Sequence, residues 1–330
     1  MRAALVVEEC RETIRKTFFD GTPIFTKNCT EALNLAIFGS DLHGQVITTV
    51  YEHNSVLRPL KKLADMGKIR LTVLSPDKDN GIDAALNAAL KIPTSLVVVS
   101  AMSNVTGKCF DIPKIAATVK AKTDAKVLVD MAQAAGHKKI DFKDVDMCAF
   151  AGHKSLHGLQ GTGFLLVKQN VLLKAHILGG TGTSTLSLEH PNDIPDGMEA
   201  GTLNSVGVAA LDMGIKWTEK NFDRINSKVD KLTKLLKDGL REINGLTVLA
   251  ANNGLVLCNF NNLSSDTVAD ILSADYGICV RSGLHCAPLA HKALGTLPGG
   301  AVRFSIGFNN SVNDIERAVE AMEELSHRNA

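Results

Sequence analysis

The chain has almost no charge imbalance, no long apolar run and no ordered cysteine set, and each absence excludes a class of protein. Lys and Arg number 36 against 35 Asp and Glu, for a net charge of +1 across 330 residues. No basic stripe stands out, so nucleic acid is not expected as a partner. The pairs Lys61-Lys62 and Lys138-Lys139 read as solvated faces. The longest apolar runs, such as Leu96 to Val99, fall far short of the roughly 20 residues that a membrane-spanning helix needs. The apolar patch Ala3 to Val7 runs straight into Glu8 and Glu9 without a small-residue cleavage site, which is poor grammar for a secretory leader. A cytoplasmic protein without a membrane partner is expected. Seven cysteines, an odd number, follow no regular spacing, and Cys29, Cys109, Cys148, Cys258 and Cys279 lie in or beside apolar segments. That pattern suits free thiols in a reducing compartment rather than a disulfide framework. Internal repeats and low-complexity segments are also lacking, as are the P-loop pattern and the dinucleotide fingerprint, which Gly158-x-x-Gly161-x-Gly163 does not match.

What is present is alternation. Residues 1–18 have good helix formers in an amphipathic pattern. Apolar strand-like runs follow at 23–26, 45–50, 70–74, 96–101, 126–130, 147–151 and 163–167, with helix-like stretches at 31–37, 56–66, 82–90 and 112–121 between them. This order implies α/β construction on a largely parallel sheet. After about Asn204 the character changes to long helices over 207–219 and 222–243. Shorter strand signals follow at 246–250, 255–260, 277–280 and 302–306, with a last helix over 313–325. A chain of this length can bury a large core and divide in two. The expected organisation is an N-terminal helix (1–19), a large α/β domain (20–206) with a seven-stranded, mostly parallel sheet, and a smaller α+β domain (207–330).

Open α/β sheets place ligands at the carboxyl ends of their strands, so the strand ends are where chemistry is sought. Lys154 closes the apolar run Asp146 to His153 and opens a glycine-rich stretch to Gly163. At a buried strand end, desolvation would disfavour the ammonium and free the amine as a nucleophile, whereas an ordinary lysine there would snorkel to water. Asp130 ends the strand Val127 to Asp130; buried, it needs a cation or donors, unless it simply caps the next segment. His53 follows the strand Val46 to Val50, where an imidazole can stack on an aromatic ligand or exchange protons near neutral pH as a catalytic group, or serve as a plain surface residue. Asn104, in Ser-Asn-Val-Thr-Gly, offers hydrogen bonds or a turn. Asn28-Cys-Thr-Glu-Ala-Leu-Asn34 has the small hydroxyl and helix start that an anion site uses, with Thr30 able to cap and to contact the anion. Gly179-Gly-Thr-Gly-Thr183 and Glu199-Ala-Gly-Thr-Leu-Asn204 are of the same kind. In the loop Arg281-Ser-Gly-Leu-His-Cys-Ala-Pro288, cations flank Cys286 and favour its thiolate. His285, Cys286 and His291 lack a fourth ligand or paired cysteines, so no metal site is expected. Arg303 carries a planar fork suited to a carboxylate.

The ordered segments Thr-Glu-Ala, Glu-His, Ser-Asn-Val-x-Gly, Val-Asp-x-Ala-Gln, Gly-His-Lys, Glu-Ala-Gly-Thr, Arg-x-Gly-x-His-Cys-Ala and Arg-x-Ser resemble those of class V aminotransferase-like enzymes. Within these they are similar to cysteine desulfurases of the selenocysteine-lyase-like group. The resemblance spans essentially the whole chain and implies a fold-type I pyridoxal-phosphate enzyme. It implies that Lys154 holds the cofactor as a Schiff base and shuttles protons, that Asp130 pairs with the pyridine nitrogen, and that His53 stacks on the ring. Gln133 and Asn104 would bond the phenolic oxygen. Thr30, His153 and the backbone around Cys29 would hold the phosphate, with Thr202 reaching the phosphate of a neighbouring subunit in a homodimer. Arg303, with Asn104, would bind the substrate carboxylate. Cys286 would take sulfur from L-cysteine as a persulfide, releasing alanine and passing sulfur to an acceptor protein, as in iron-sulfur cluster assembly. Selenocysteine lyase, another β-elimination, or a catalytically weak scaffold in sulfur trafficking are the alternatives. Three departures accompany the resemblance. Ala151 stands where the family has Ser or Thr, Gly158-Leu159 replaces Gly-Pro, and the family's N-terminal Asp-Asn-Ala-Ala-Thr-like segment is expected to be missing.

Overall fold

The computed structural model describes residues 2–76, 81–183 and 185–328. The chain forms two compact units: one runs up to Met102 and from Phe110 to Lys220, the other comprises Ser103–Cys109 and the chain from Asn221 onward.

In the first unit helices and strands alternate: α1 (Arg2–Thr17), β1 (Thr22–Thr26), α2 (Cys29–Gly39), β2 (Gln45–Thr49), α3 (Asn54–Asp65), β3 (Arg70–Leu74), α4 (Ile82–Ala89), β4 (Thr94–Ser100), α5 (Ile112–Lys122), β5 (Lys126–Asp130), β6 (Met147–Ala151), β7 (Gly163–Val167) and α6 (Ser205–Lys220). The seven strands make one sheet in the order β1-β7-β6-β5-β4-β2-β3. Five neighbours from β3 to β6 run parallel, and β7 is antiparallel to both β6 and β1. The mostly parallel seven-stranded sheet is therefore as expected. Strands β2, β5, β6 and β7 are buried nearly end to end, which is why they read as continuous apolar runs rather than as alternation. Phe150 and Phe164 are register partners on β6 and β7 and stack at 4.3 Å, with Phe18 4.4 Å from Phe150.

Helix α6 belongs to this unit, although the sequence reading placed it after a boundary at residue 206. Its buried face, Val208, Leu211 and Ile215, is lined up with a polar anchor to α1: Thr13 donates to Asp212 at 2.5 Å, and Lys216 also bonds Asp212 at 2.6 Å. A second anchor ties α1 to the loop before α6. The Arg11 guanidinium holds the Glu199 carboxylate with two bonds, 3.0 and 2.6 Å, donates also to the Pro23 carbonyl, and lies 4.7 Å over the Phe25 ring. Burial pushes the Glu199 carboxyl up, and Arg11 pulls it part of the way back.

The second unit contains α7 (Phe222–Arg241), β8 (Leu246–Asn252), β9 (Leu255–Phe260), α8 (Ser265–Tyr276), α9 (Pro288–Leu294), β10 (Val302–Ser305) and α10 (Val312–Arg328). Its sheet is antiparallel in the order β10-β9-β8. Leu232, Leu236 and Leu240 of α7 pack with Val256, Phe304 and Met322 in its core. The strand expected over 277–280 does not form. Gly277 ends α8 in the left-handed conformation (φ 64), and only Arg281 bridges a strand residue, Arg303. Helices α8 and α9 fell outside the sequence-based assignment. Among the described residues no helix is long and apolar enough to cross a membrane.

Replacing Arg11 by Met leaves a buried carboxylate without its cation. Urea unfolding of Arg11→Met should show a loss of about 3–5 kcal/mol, and Arg11→Met with Glu199→Gln should recover most of it. A single variant as stable as the native protein would show that the pair does not anchor α1.

Candidate active site

The carboxyl ends of the parallel strands converge on one group of side chains in the first unit. Asp130 ends β5 and is 6% exposed. Its Oδ1 accepts from the Ala132 N–H at 2.8 Å and from the Cys29 thiol at 3.4 Å. Among the described residues neither bond falls on Oδ2, so a buried carboxylate keeps one oxygen for a donor. In register beside it, Ser100 ends β4 and Ala149 lies on β6.

Lys154 follows β6 in a turn tied at both ends. Gly152 N donates to Thr162 O at 3.0 Å, His157 N to Lys154 O at 3.0 Å, and Gly158 N to Gly152 O at 2.8 Å. Ser155 Oγ meets His137 Nε2 at 2.8 Å. A Cβ on Gly136, itself at φ 82, would sit 2.5 Å from Ser155 O, so glycine is what lets the Gln133 segment approach this turn. Lys154 and His153 are solvent-exposed. The sequestration from water expected for Lys154 is not found, because β6 stops at Ala151 and the turn carries the amine beyond the sheet.

Two helices begin at the same place. Asn28 caps α2, its side chain accepting from Glu31 N at 3.0 Å. His53 caps α3, with Nδ1 accepting from Ser55 N at 3.0 Å and lying 2.8 Å from Ser55 Oγ. His53 Nδ1 is thereby committed to the helix, which leaves the ring and Nε2 for other use. Burial lowers the His53 pKa, an effect that Asp130 opposes and Lys154 reinforces. Thr30 and Ser55, each in the first turn of its helix, touch through their hydroxyls at 2.8 Å. Among the described residues the N–H groups of Cys29 and Thr30 have no acceptor, so two first-turn donors and two hydroxyls share one place. A Cβ on Gly163 would lie 2.6 Å from the Asn28 carbonyl carbon, so β7 needs glycine to pass the start of α2.

Sequence reasoning passed over Ser55, and it missed Glu52. Glu52 is fully buried, with Thr49 Oγ1 at 2.7 Å on one oxygen and Ser100 Oγ at 2.6 Å on the other. Burial pushes its carboxyl up to about 7; the two hydroxyls pull it back in part, and Asp130 adds to the rise. The signal available was a glutamate shortly after the buried strand β2, with only His53 beside it and neither Lys nor Arg to answer its charge. Cys29 was read only for its backbone, yet its thiol is pushed well up by burial first and then by Asp130. Gln133 is half-buried and makes no hydrogen bond among the described residues. Thr202 is exposed and lines a cavity of about 150 Å³ with Phe25, Lys27, Glu31 and Glu199.

In the second unit Asn104, Arg303 and Cys286 belong to one hydrogen-bonded frame. Asn104 Nδ2 donates to His285 O at 2.8 Å, and Arg303 Nη1 donates to Asn104 O at 2.6 Å. Arg303 Nε is buried without a partner among the described residues, and burial, then Arg281, lowers the Arg303 pKa. The Asn104 amide nitrogen expected to face a cofactor oxygen is thus engaged with backbone. Cys286 is exposed. Four other thiols are buried and pushed up by desolvation, Cys10 and Cys258 to about 12 and Cys29 and Cys148 well above the ordinary range, so they are poor nucleophiles.

A parallel sheet with a buried strand-end Asp, a lysine turn on the next strand and a hydroxyl-lined helix start defines a class of cofactor enzyme. The chain belongs to the class-V aminotransferase family, whose model matches residues 1–318. A probable cysteine desulfurase of Methanothermobacter thermautotrophicus is 32% identical over 99% of this chain and 85% of its own length. The apo cysteine desulfurase of Thermococcus onnurineus NA1 superposes with a TM-score of 0.88 at 31% identity, covering 99% of this chain and 85% of that one. The Escherichia coli cysteine desulfurase CsdA, in an S-sulfonic acid form, gives a TM-score of 0.88 at 26% identity over 100% of this chain and 86% of its own. The architecture is that of fold-type I enzymes, a pyridoxal-phosphate-dependent group.

Because Glu52 holds its proton more tightly in the folded chain than at its ordinary value of 4.5, it stabilises the fold fully below about pH 4.5. That contribution is lost as the pH rises through about 7. Relative to Glu52→Gln, native stability in urea melts should therefore fall by up to about 3 kcal/mol between those limits. A pH-independent difference between the two proteins would refute the assignment.

Proposed function

We propose that the protein is a pyridoxal-phosphate-dependent cysteine desulfurase that converts L-cysteine to L-alanine and keeps the sulfur as a persulfide on Cys286. The observation that carries this reading is the Cys286 thiol, which is exposed, as Cys279 also is, and which alone of the two follows the His285 held in the frame of Asn104 and Arg303, whereas four other cysteines are buried with raised pKa values. An aminotransferase has no use for it. The relatives' names point the same way.

The residues present fit the cofactor. Asp130 Oδ2 suits a pyridinium N–H, since a buried carboxylate without a cation is costly. The open N–H groups of Cys29 and Thr30, with the Thr30 and Ser55 hydroxyls, suit a phosphate, and His153 adds a donor from the lysine turn. Ala151 offers none. Lys154 would hold the cofactor through its amine, His53 would lie against the ring, and Gln133 would serve its phenolic edge, while the Asn104 amide nitrogen is spent on the His285 carbonyl. When bound, pyridoxal phosphate supplies an electron sink for bonds at the substrate α-carbon.

The chain's own residues do the remainder. Arg303 Nε and its unshared N–H groups bind the substrate carboxylate, and Lys154 Nζ takes the α-proton. Cys286 Sγ, as thiolate, bonds to the substrate sulfur. The carbon–sulfur bond breaks with its electron pair remaining on carbon, which takes a proton to give alanine, and Cys286 is left as the persulfide. An acceptor protein then receives the sulfur. A homodimer is supported by an exposed apolar row on α6, Val206, Met213 and Trp217, and by exposed Leu186 and Leu188 on the preceding loop. In that dimer Thr202 would serve the neighbouring subunit's phosphate. A cytoplasmic location is supported by seven free thiols.

The purified protein should be yellow, and borohydride should fix the cofactor on the peptide carrying Lys154, as mass spectrometry reads it; Lys154→Ala should carry none. A colourless chain that takes up no pyridoxal phosphate would overturn the assignment. Cys286→Ser should keep the colour and lose at least about 100-fold in alanine release from cysteine. Selenocysteine run in parallel separates the lyase alternative, which predicts that alanine from selenocysteine survives the substitution while cysteine remains a poor substrate for the native protein.

A further inference from the structure

The loop that presents Cys286 has an uncommon backbone. His285 and Cys286 both sit in the left-handed region, at φ 51 and φ 55, and neither is glycine. Non-glycine residues hold that conformation only where their surroundings over-determine it.

The surroundings are a chain of buried polar groups. His285 Nε2 lies 3.1 Å from Arg281 O, and a carbonyl only accepts, so Nε2 carries a proton. Burial lowers the pKa of His285, to about 4, and of His291, so both rings are neutral near pH 7. His285 Nδ1 must then accept from His291 Nε2, 3.0 Å away, with the rings stacked at 5.2 Å. His291 Nδ1 is left to accept from the Thr296 hydroxyl at 2.8 Å. The protons thus run one way, from Thr296 to His291 to His285 to Arg281 O. The far end is a rigid point, because Arg281 and Arg303 exchange both backbone bonds, at 3.1 and 2.7 Å. The His285 carbonyl is gripped by Asn104, and the Asn104 carbonyl by Arg303. A closed circuit results, Arg303 to Asn104 to His285 to Arg281 and back.

We infer that His291 is a positioning residue for Cys286: through His285 it locks the left-handed backbone that holds the thiol out to solvent at a set distance from Arg303. The inference rests on the desulfurase reading, in which Arg303 takes the substrate carboxylate and Cys286 its sulfur. Both ends of one small substrate are then served from a single frame. His291 is fully buried beside Ala287 and Ala290, where an apolar side chain would fill the space without a polar chain to satisfy. Its value lies in the Nε2 proton it presents to His285.

The test compares holoenzymes carrying His291→Leu, which removes that donor, His291→Gln, whose amide nitrogen restores it, and Thr296→Val, which frees the His291 tautomer. Amide hydrogen exchange over residues 284–288 reads the loop without substrate and should quicken about 10-fold in the Leu variant. The rate of persulfide build-up on Cys286 from cysteine, read by mass spectrometry, should fall about 100-fold, with the KM for cysteine unchanged within about twofold. Thr296→Val should fall part of the way, and His291→Gln should stay within about threefold of the native protein on both readouts. Unchanged exchange in the Leu variant, a Gln variant as impaired as Leu, or KM rising as the rate falls would overturn the inference. If the Leu variant does not fold, the Gln and Val variants decide alone, since a Gln variant slower than Val contradicts it. A native protein that never carries a persulfide defeats the desulfurase reading instead, and the exchange comparison still decides the role of His291.

Discussion

A carboxylate taken out of water with one oxygen unanswered is the constraint on which this active centre depends. Asp130 lies at the buried end of β5, where little solvent reaches its charge. The two donors it has, Ala132 N–H and the Cys29 thiol, are neutral and both address Oδ1. A cationic N–H is the partner its second oxygen calls for, and much of the surrounding chemistry follows from that need. Glu52 cannot share the region as a second full charge without cost, which is one reason its carboxyl is raised. The Cys29 thiol, facing the same carboxylate, is kept protonated and donating. The start of α2 brings open N–H groups to the same edge, so that a ligand with a cationic nitrogen at one end and an anion at the other finds both ends met by the first unit.

The second unit addresses a different problem, that of presenting a nucleophile. Burial disables a thiol by penalising its anion, as at Cys10, Cys148 and Cys258. Exposure alone leaves the thiol on a mobile loop. The hydrogen-bonded circuit through Asn104, His285, Arg281 and Arg303 provides a third state, an exposed sulfur on a backbone held in a strained conformation. The buried His285–His291 pair can do this because neutral rings with assigned tautomers transmit orientation without a charge to desolvate.

Much of this was legible in the residues. The central strands β2, β5, β6 and β7 appeared as short apolar runs, since strands covered on both faces carry no alternation to confuse them. The strand-end Asp130, the lysine turn after β6 and the Thr30 helix start stood out because polar groups directly after such runs are exceptions. The smaller unit was harder to read. Gly277–Val280 has strand-like residues, yet the left-handed Gly277 that ends α8 turns the chain away before pairing can begin. Helix α9 is seven residues long, too short for a periodic signal. Lys154 was expected in a dry site, and the turn places it in water. His53 was expected either to meet a ligand or to be a plain surface residue, and it also caps a helix. These last two depend on backbone geometry after the strand, which residue type does not record.

By itself the sequence determined the order of elements in the first unit, the parallel sheet and the kinds of chemical group at its strand ends, because burial and chain direction follow from local pattern. Tertiary structure alone decided which oxygen of Asp130 is open and which hydroxyl meets Thr30. It also decided that Glu52 is buried between two hydroxyls, and that His291 reaches Cys286 through His285. Those are relations between segments distant along the chain, and their energies arise only when packing excludes water and fixes the donors in place.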